Sequence, residues 1–279
     1  MDKSIIAIGA LGGSGTRIVA EIIQQLNVYI GDVLNHANDN LIFTLLFKNP
    51  DWYKKCSAES FNERLQLFRR YMENDQLTEQ EFSLLSKIGK ENTFVKFYDA
   101  SFDEAIKLKI RNTKTGRKIW AWKEPNTQVF LDSLLSAMPR LKYVHVLRHG
   151  LDMAFSKNKQ QLKNWGYLFD IHLNGDENEE ELAYKQLCYW IESTKKKKYL
   201  SQEKPDRILV LNFEKLCSNP KEEIDRIIAF TKLDLEKINL ETIYQLPQTP
   251  NSAQRFKDYD LGIFDQAQLD YVRQLGFEI

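Results

Sequence analysis

Residues 5–26 read IIAIGALGGSGTRIVAEIIQQL. The run Ile5 to Ile8 is a short buried strand by pattern, and RIVAEIIQQL is an amphipathic helix. Between them lie Gly9, Gly12, Gly13 and Gly15. Glycines let a backbone take left-handed angles and turn its N–H groups inward, and a helix N-terminus adds partial positive charge. Strand, glycine turn and helix start therefore form a cradle for a phosphate, with Ser14 and Thr16 able to add hydroxyls or cap the helix. A Walker A loop counted from Gly9 would need Gly at position 14 and Lys at position 15, where the chain has Ser14 and Gly15. The dinucleotide pattern GxGxxG is not matched either.

Working outward, β-branched or aromatic runs recur at Asn27 to Ile30, Ile119 to Trp122, Tyr143 to Leu147 and Ile208 to Leu211. Helical patterns separate them over Thr16 to Leu26, Thr127 to Met138, Leu151 to Leu162, Glu179 to Leu200 and Pro220 to Thr231. This alternation predicts an α/β fold, a parallel sheet of about five strands flanked by helices. The stretch at roughly 36–111 breaks the rhythm with helical patterns such as ESFNERLQLFRRYM, which predicts a helical insertion after the second strand. Leaving a strand's carboxyl end, it is placed to cover a ligand site. One domain over 1–279 accounts for the whole chain.

Lys plus Arg and Asp plus Glu each number 39, so net charge gives no reason for a nucleic-acid or membrane partner. Any anion site must be local. Cys56, Cys188 and Cys217 are odd in number and widely spaced, as suits reduced thiols in the cytoplasm. The first residues pass directly into a strand, with no signal-peptide core, and Leu41 to Phe47 (LIFTLLF) falls far below the roughly 20 residues that span a bilayer. His36, His145, His149 and His172 form no ligand cluster, which predicts no metal site, and His145 reads as core. Lys195 to Lys198 read as a solvated helix end, and nothing in the sequence indicates an oligomeric state.

A second anion site follows Tyr143 to Leu147, where Arg148 ends the strand and Ser156 lies about two turns into the next helix. An arginine fork suits a phosphate monoester, and a nearby hydroxyl completes its shell. The pair GGSGTR and LRHGLDMAFS, in this order, resembles the sulfotransferase family. The resemblance implies a P-loop-like fold that uses 3′-phosphoadenosine-5′-phosphosulfate (PAPS) as donor. It gives Gly12, Gly13, Ser14, Gly15, Thr16 and Arg17 to the 5′-phosphosulfate, and Arg148 with Ser156 to the 3′-phosphate. WKEPN (Trp122 to Asn126) is similar to the family's lysine-bearing strand end, and VLNFEKLCSNP to its late strand and helix entry. Arg255 and Lys257 sit where the family often adds contacts to the 3′-phosphate.

The family's loops commonly carry a cation just before Ser-Gly-Thr, and here that residue is Gly13. Charge developing on a transferring sulfuryl group needs a positioned cation, so Lys123 or Arg17 must substitute, and Lys123 is favoured. Asp32, which follows Gly31 at the end of the second strand, ranks first as base, ahead of Glu124 and His36. The expected activity is sulfuryl transfer to a hydroxyl or amine of a small-molecule or carbohydrate acceptor. A small-molecule kinase with a variant P-loop and a catalytically inactive nucleotide-binding protein are the alternatives.

Overall fold

Ile5–Gly9 form β1, and all five residues are buried. A computed structural model of the chain describes residues 5–73, 77–99, 102–104, 119–235 and 238–279. β2 (Trp120–Lys123), β3 (Leu141–Leu147) and β4 (Ile208–Asn212) join β1 in one sheet of order β2-β1-β3-β4. Every pairing is parallel, with Ile8 beside both Lys123 and Val144. The carboxyl ends of all four strands therefore share one edge, where open parallel sheets bind ligands.

Asn27 to Ile30, expected as a strand, contributes a single bridge from Tyr29 to Trp120, with the Ala121 amide donating to the Tyr29 carbonyl at 2.8 Å. The reason is local. Asn27 and Gly31 both have positive φ, so the extended piece between them is too short to continue the ladder. Among the described residues the sheet has four strands rather than five.

Side chains alternate across the sheet, and each face has its own core. Ile6, Ile8, Ala121, Val144 and Val146 pack with Val19, Ile22 and Ile23 of α1 (Thr16–Gln25). Burial of each such aliphatic side chain contributes at most about 1.5–3 kcal/mol. The other face packs Trp120, Trp122 and Tyr143 against the insertion: α2 (Leu41–Phe47), α3 (Pro50–Tyr53), α4 (Ala58–Glu73) and α5 (Glu79–Glu91). Phe43 of α2 stacks with Trp122 at 5.6 Å, and Phe68 of α4 meets it edge-on at 5.4 Å. Residues 105–111 of the expected insertion lie outside the described residues.

After β2 comes a 3₁₀ turn, Pro125–Phe130, and then α6 (Leu131–Ala137). The single helix expected over Leu151 to Leu162 is two, α7 (Gly150–Ala154) and α8 (Gln160–Trp165). Glu179–Glu203 form α9, started by a capping box between Asn178 and Glu181 and supported by three acidic residues in its first turn. Phe213–Ser218 (α10), Pro220–Thr231 (α11), Leu240–Tyr244 (α12) and Gln266–Gln274 (α13) complete the chain.

Candidate active site

The glycine loop is held from below. The Ala10 amide donates to the Pro125 carbonyl at 3.2 Å, and Gln161 Nε2 donates to the Ala10 carbonyl at 2.9 Å. Gly13 and Gly15 have φ of 95° and 88°, in the region that L side chains avoid. The Ser14 amide turns back to the Leu11 carbonyl at 3.1 Å, while no hydrogen bond to another described residue takes the amides of Gly12, Gly13 or Gly15. Ser14 and Thr16 are buried, and Arg17 is exposed on the first turn of α1. A Cβ on Gly13 would make only ordinary contacts at 3.9 Å with Met153 and Ser156, so it is the left-handed backbone that disfavours a cation there.

Arg148 closes the far side of the loop. Its Nη1 donates to the Gly13 carbonyl at 2.8 Å, and its Nη2 to the carbonyl and hydroxyl of Ser252, each at 3.0 Å. Nε is buried and has no partner among the described residues. Burial lowers the Arg148 pKa despite the neighbouring Asp152 carboxylate, so the site favours an anion that would hold the charge. The backbone here is fixed on two sides, since Trp190 Nε1 donates to the Arg148 carbonyl at 3.1 Å and the His149 amide donates to Glu214 Oε1 at 2.9 Å. Asp152 in turn accepts from the amides of Gln254 and Phe256, which ties the late loop to α7.

Ser156, where the helix breaks, faces the loop: a Cβ on Gly13 would come 3.9 Å from its hydroxyl. Arg255 Nε donates to the same Ser252 carbonyl that Arg148 uses, at 3.1 Å. Lys159 belongs to this cluster and has no motif to announce it. Its ammonium donates to the Ala154 carbonyl, and burial, then repulsion from Arg255, bring its pKa down to about 8. Lys257 turns away to Gln254 Oε1 at 3.0 Å. The structure thus brings Arg148, Ser156, Arg255 and Lys159 together beside the loop and leaves Lys257 aside.

At the end of β2, Lys123 is 1% exposed and pairs with Asp39. Asp39 reaches it through a turn that Asn35 organises, accepting on Oδ1 from the amides of Ala37 and Asp39 at 2.9 Å. The Asn40 amide then donates to the Lys123 carbonyl at 2.8 Å, while its side chain caps α2. Asp32 is exposed and bonds elsewhere, accepting from the Tyr29 hydroxyl at 2.8 Å. Asp39 was not legible in the sequence, because nothing there says which carboxylate of DVLNHANDN the turn delivers.

Glu124 is buried beside this pair. Its Oε1 accepts from Asn126 Nδ2 at 2.7 Å, and its Oε2 has no partner among the described residues. Burial first, then the Asp39 carboxylate, push its pKa up to about 7, against the pull of Asn126, Lys48 and Lys123. An orphan carboxylate oxygen with that proton affinity is chemically a base. His36 makes no hydrogen bond to another described residue.

The sequence profile of the Sulfotransferase family matches residues 6–237. Solved structures that align with the full length of this chain include two sulfotransferase domains. The sulfotransferase domain of the Synechococcus PCC 7002 olefin synthase is 16% identical over 96% of its own length, with a TM-score of 0.51. The sulfotransferase domain of the curacin biosynthetic pathway is 15% identical over 99% of its own length, with a TM-score of 0.49. Among curated proteins, none matches the chain.

Proposed function

The chain belongs to the sulfotransferase family, and from that premise we propose that it moves a sulfuryl group from PAPS to a hydroxyl or amine of a small-molecule or carbohydrate acceptor. The carrying observation is that two separate anion cradles touch, with the guanidinium of Arg148 bonded to the Gly13 carbonyl of the glycine loop. A donor with phosphate groups at both 5′ and 3′ positions needs two such cradles side by side. The residues fit it on their own terms, because the free loop amides and the orphan Arg148 Nε await acceptors.

Gly12 to Arg17 would hold the 5′-phosphosulfate through backbone N–H groups and the Ser14 and Thr16 hydroxyls. Arg148, Ser156, Arg255 and Lys159 would hold the 3′-phosphate, with Lys257 contributing from the loop's outer side. The donor supplies an activated sulfuryl group. Lys123 stabilises charge that develops as the new bond from acceptor oxygen or nitrogen to sulfur forms and the bond from sulfur to the 5′-phosphate oxygen breaks. Asp39 orients Lys123 by pairing with it.

For the base, the orphan oxygen and raised proton affinity of Glu124 support it over Asp32, which is bonded to Tyr29. Glu124 takes the acceptor's proton as the new bond forms. The three free cysteines fit a cytoplasmic location, and no described helix is long and apolar enough to cross a membrane.

The test is transfer of label from ³⁵S-labelled PAPS to a panel of sugars, phenols, alcohols and amines, beside γ-³²P-labelled ATP. Labelled product from PAPS alone supports the reading. Product from ATP alone would instead support a kinase with a variant loop.

A further inference from the structure

The lysine run of α9 is not the solvated helix end that its sequence indicates. α9 continues to Glu203, and while Lys195 and Lys196 pair with Glu192 and Asp132, Lys197 is 2% exposed. Tyr189, Ser193 and Lys197 stand four residues apart, which stacks them along one stripe of the helix. The stripe lines a cavity of about 110 Å³. Val129, Leu168 and Phe169 give the cavity apolar walls, and Tyr53, Gln128 and Lys196 complete its lining.

The hydrogen bonding around this space is uneven. Ser193 Oγ donates to Gln128 Oε1 at 2.7 Å, Gln128 Nε2 to Gln161 Oε1 at 2.5 Å, and Gln161 Nε2 to the Ala10 carbonyl. That chain is satisfied. Lys197 and Tyr189 are 2% and 1% exposed, and the ammonium of the one and the hydroxyl of the other meet the cavity rather than a hydrogen-bond partner among the described residues. An ammonium on an otherwise buried lysine, facing only a small cavity, is poorly hydrated, and its charged form carries a desolvation cost. A ligand that only accepts would remove that cost. An apolar tail would suit the Val129, Leu168 and Phe169 walls, and the volume limits it to a few carbon atoms.

We propose that this cavity binds a small organic carboxylate, whose oxygens accept from Lys197 and Tyr189 and whose alkyl chain packs on Val129, Leu168 and Phe169. Inorganic sulfate fits less well, because its four oxygens would strip water from more polar surface than the site can replace. Burial, which brings the Lys197 pKa down to about 7, is the energetic strain that a carboxylate would relieve. The cavity shares no lining residue with the anion cradles at the sheet edge and does not depend on the identity of the sulfuryl donor.

The experiment is calorimetric titration of the full chain with butyrate at neutral pH, with inorganic sulfate as competitor. Saturable one-to-one binding with a dissociation constant on the order of 1 mM or tighter is expected. Lys197→Met, of similar volume and free of charge, should weaken it by at least about tenfold, which corresponds to one charge-assisted contact. Excess sulfate should leave butyrate bound. Absence of saturable binding, unchanged affinity in Lys197→Met, or displacement by sulfate would each overturn the proposal. Tyr189→Phe, which keeps the ring, replaces the lysine variant should that one fail to fold. Unchanged affinity in Tyr189→Phe would also overturn it.

Discussion

Lys123 and Glu124 are neighbours in sequence with extended backbone, so their side chains leave opposite faces of the sheet edge. The proposed cation and the proposed base can therefore approach one reacting group from two sides. Lys123→Ala should lower turnover by about 10²–10³ while leaving donor affinity nearly unchanged, because a contact to developing charge acts on the transition state. Single-turnover rates beside calorimetric donor titration test this, and near wild-type turnover would remove Lys123 from the mechanism. Arg17 is then the remaining loop cation.

Glu124 makes a prediction in pH. As a base it acts deprotonated, so kcat/KM should rise as pH climbs through about 7, and Glu124→Gln should flatten that limb. Stability responds in the opposite sense. The folded protein holds this proton up to about 7, while the unfolded chain releases it at the ordinary 4.5. The contribution is complete below the unfolded value and is lost as pH rises through the folded one. Denaturant titrations should therefore show that the stability gap between wild type and Glu124→Gln moves in favour of the variant as pH increases across that window. A pH-independent gap would mean that Glu124 is no buried acid.

At the scale of elements, the β1-loop-α1 unit was fully legible, because a short apolar strand, four glycines and an amphipathic helix leave one reading. β3 and Arg148 were equally plain. The Asn27 to Ile30 segment was not, since apolar alternation does not reveal that flanking positive-φ residues confine it to one bridge. The break between α7 and α8 was hidden for a related reason: it places Ser156 and Lys159 by tertiary contact rather than by any helix-breaking residue. Pattern also misread the lysine run, whose members look alike until α9 docks and buries one of them.

The loop depends on Phe213, whose ring lies where a Cβ at Gly15 would sit, 2.2 Å away. Gly15→Ala combines that overlap with a positive φ, and it should reduce stability by about 2–4 kcal/mol. Donor binding should fall with it, because the loop amides proposed to hold the 5′-phosphosulfate are displaced. Thermal unfolding and donor titration on the same sample check both, and a variant of wild-type stability would show that the loop shifts freely past Phe213.

Across the whole molecule, the sheet edge gathers parts from distant stretches of chain. Arg148 alone joins the loop after β1, the end of β3 and the late segment at Ser252, with Asp152 tying that segment down. A donor with two phosphate positions would bind across these parts and hold them together, so its binding should appear as global stability. The most direct measurement of the central claim is the melting temperature of the full chain with 3′-phosphoadenosine-5′-phosphate and, at equal concentration, with ATP. The two-cradle account predicts stabilisation of about 2.7 kcal/mol by the desulfated donor at a hundredfold excess over its dissociation constant, much less from ATP, and loss of most of the effect in folded Arg148→Ala. Equal or greater stabilisation by ATP would contradict it.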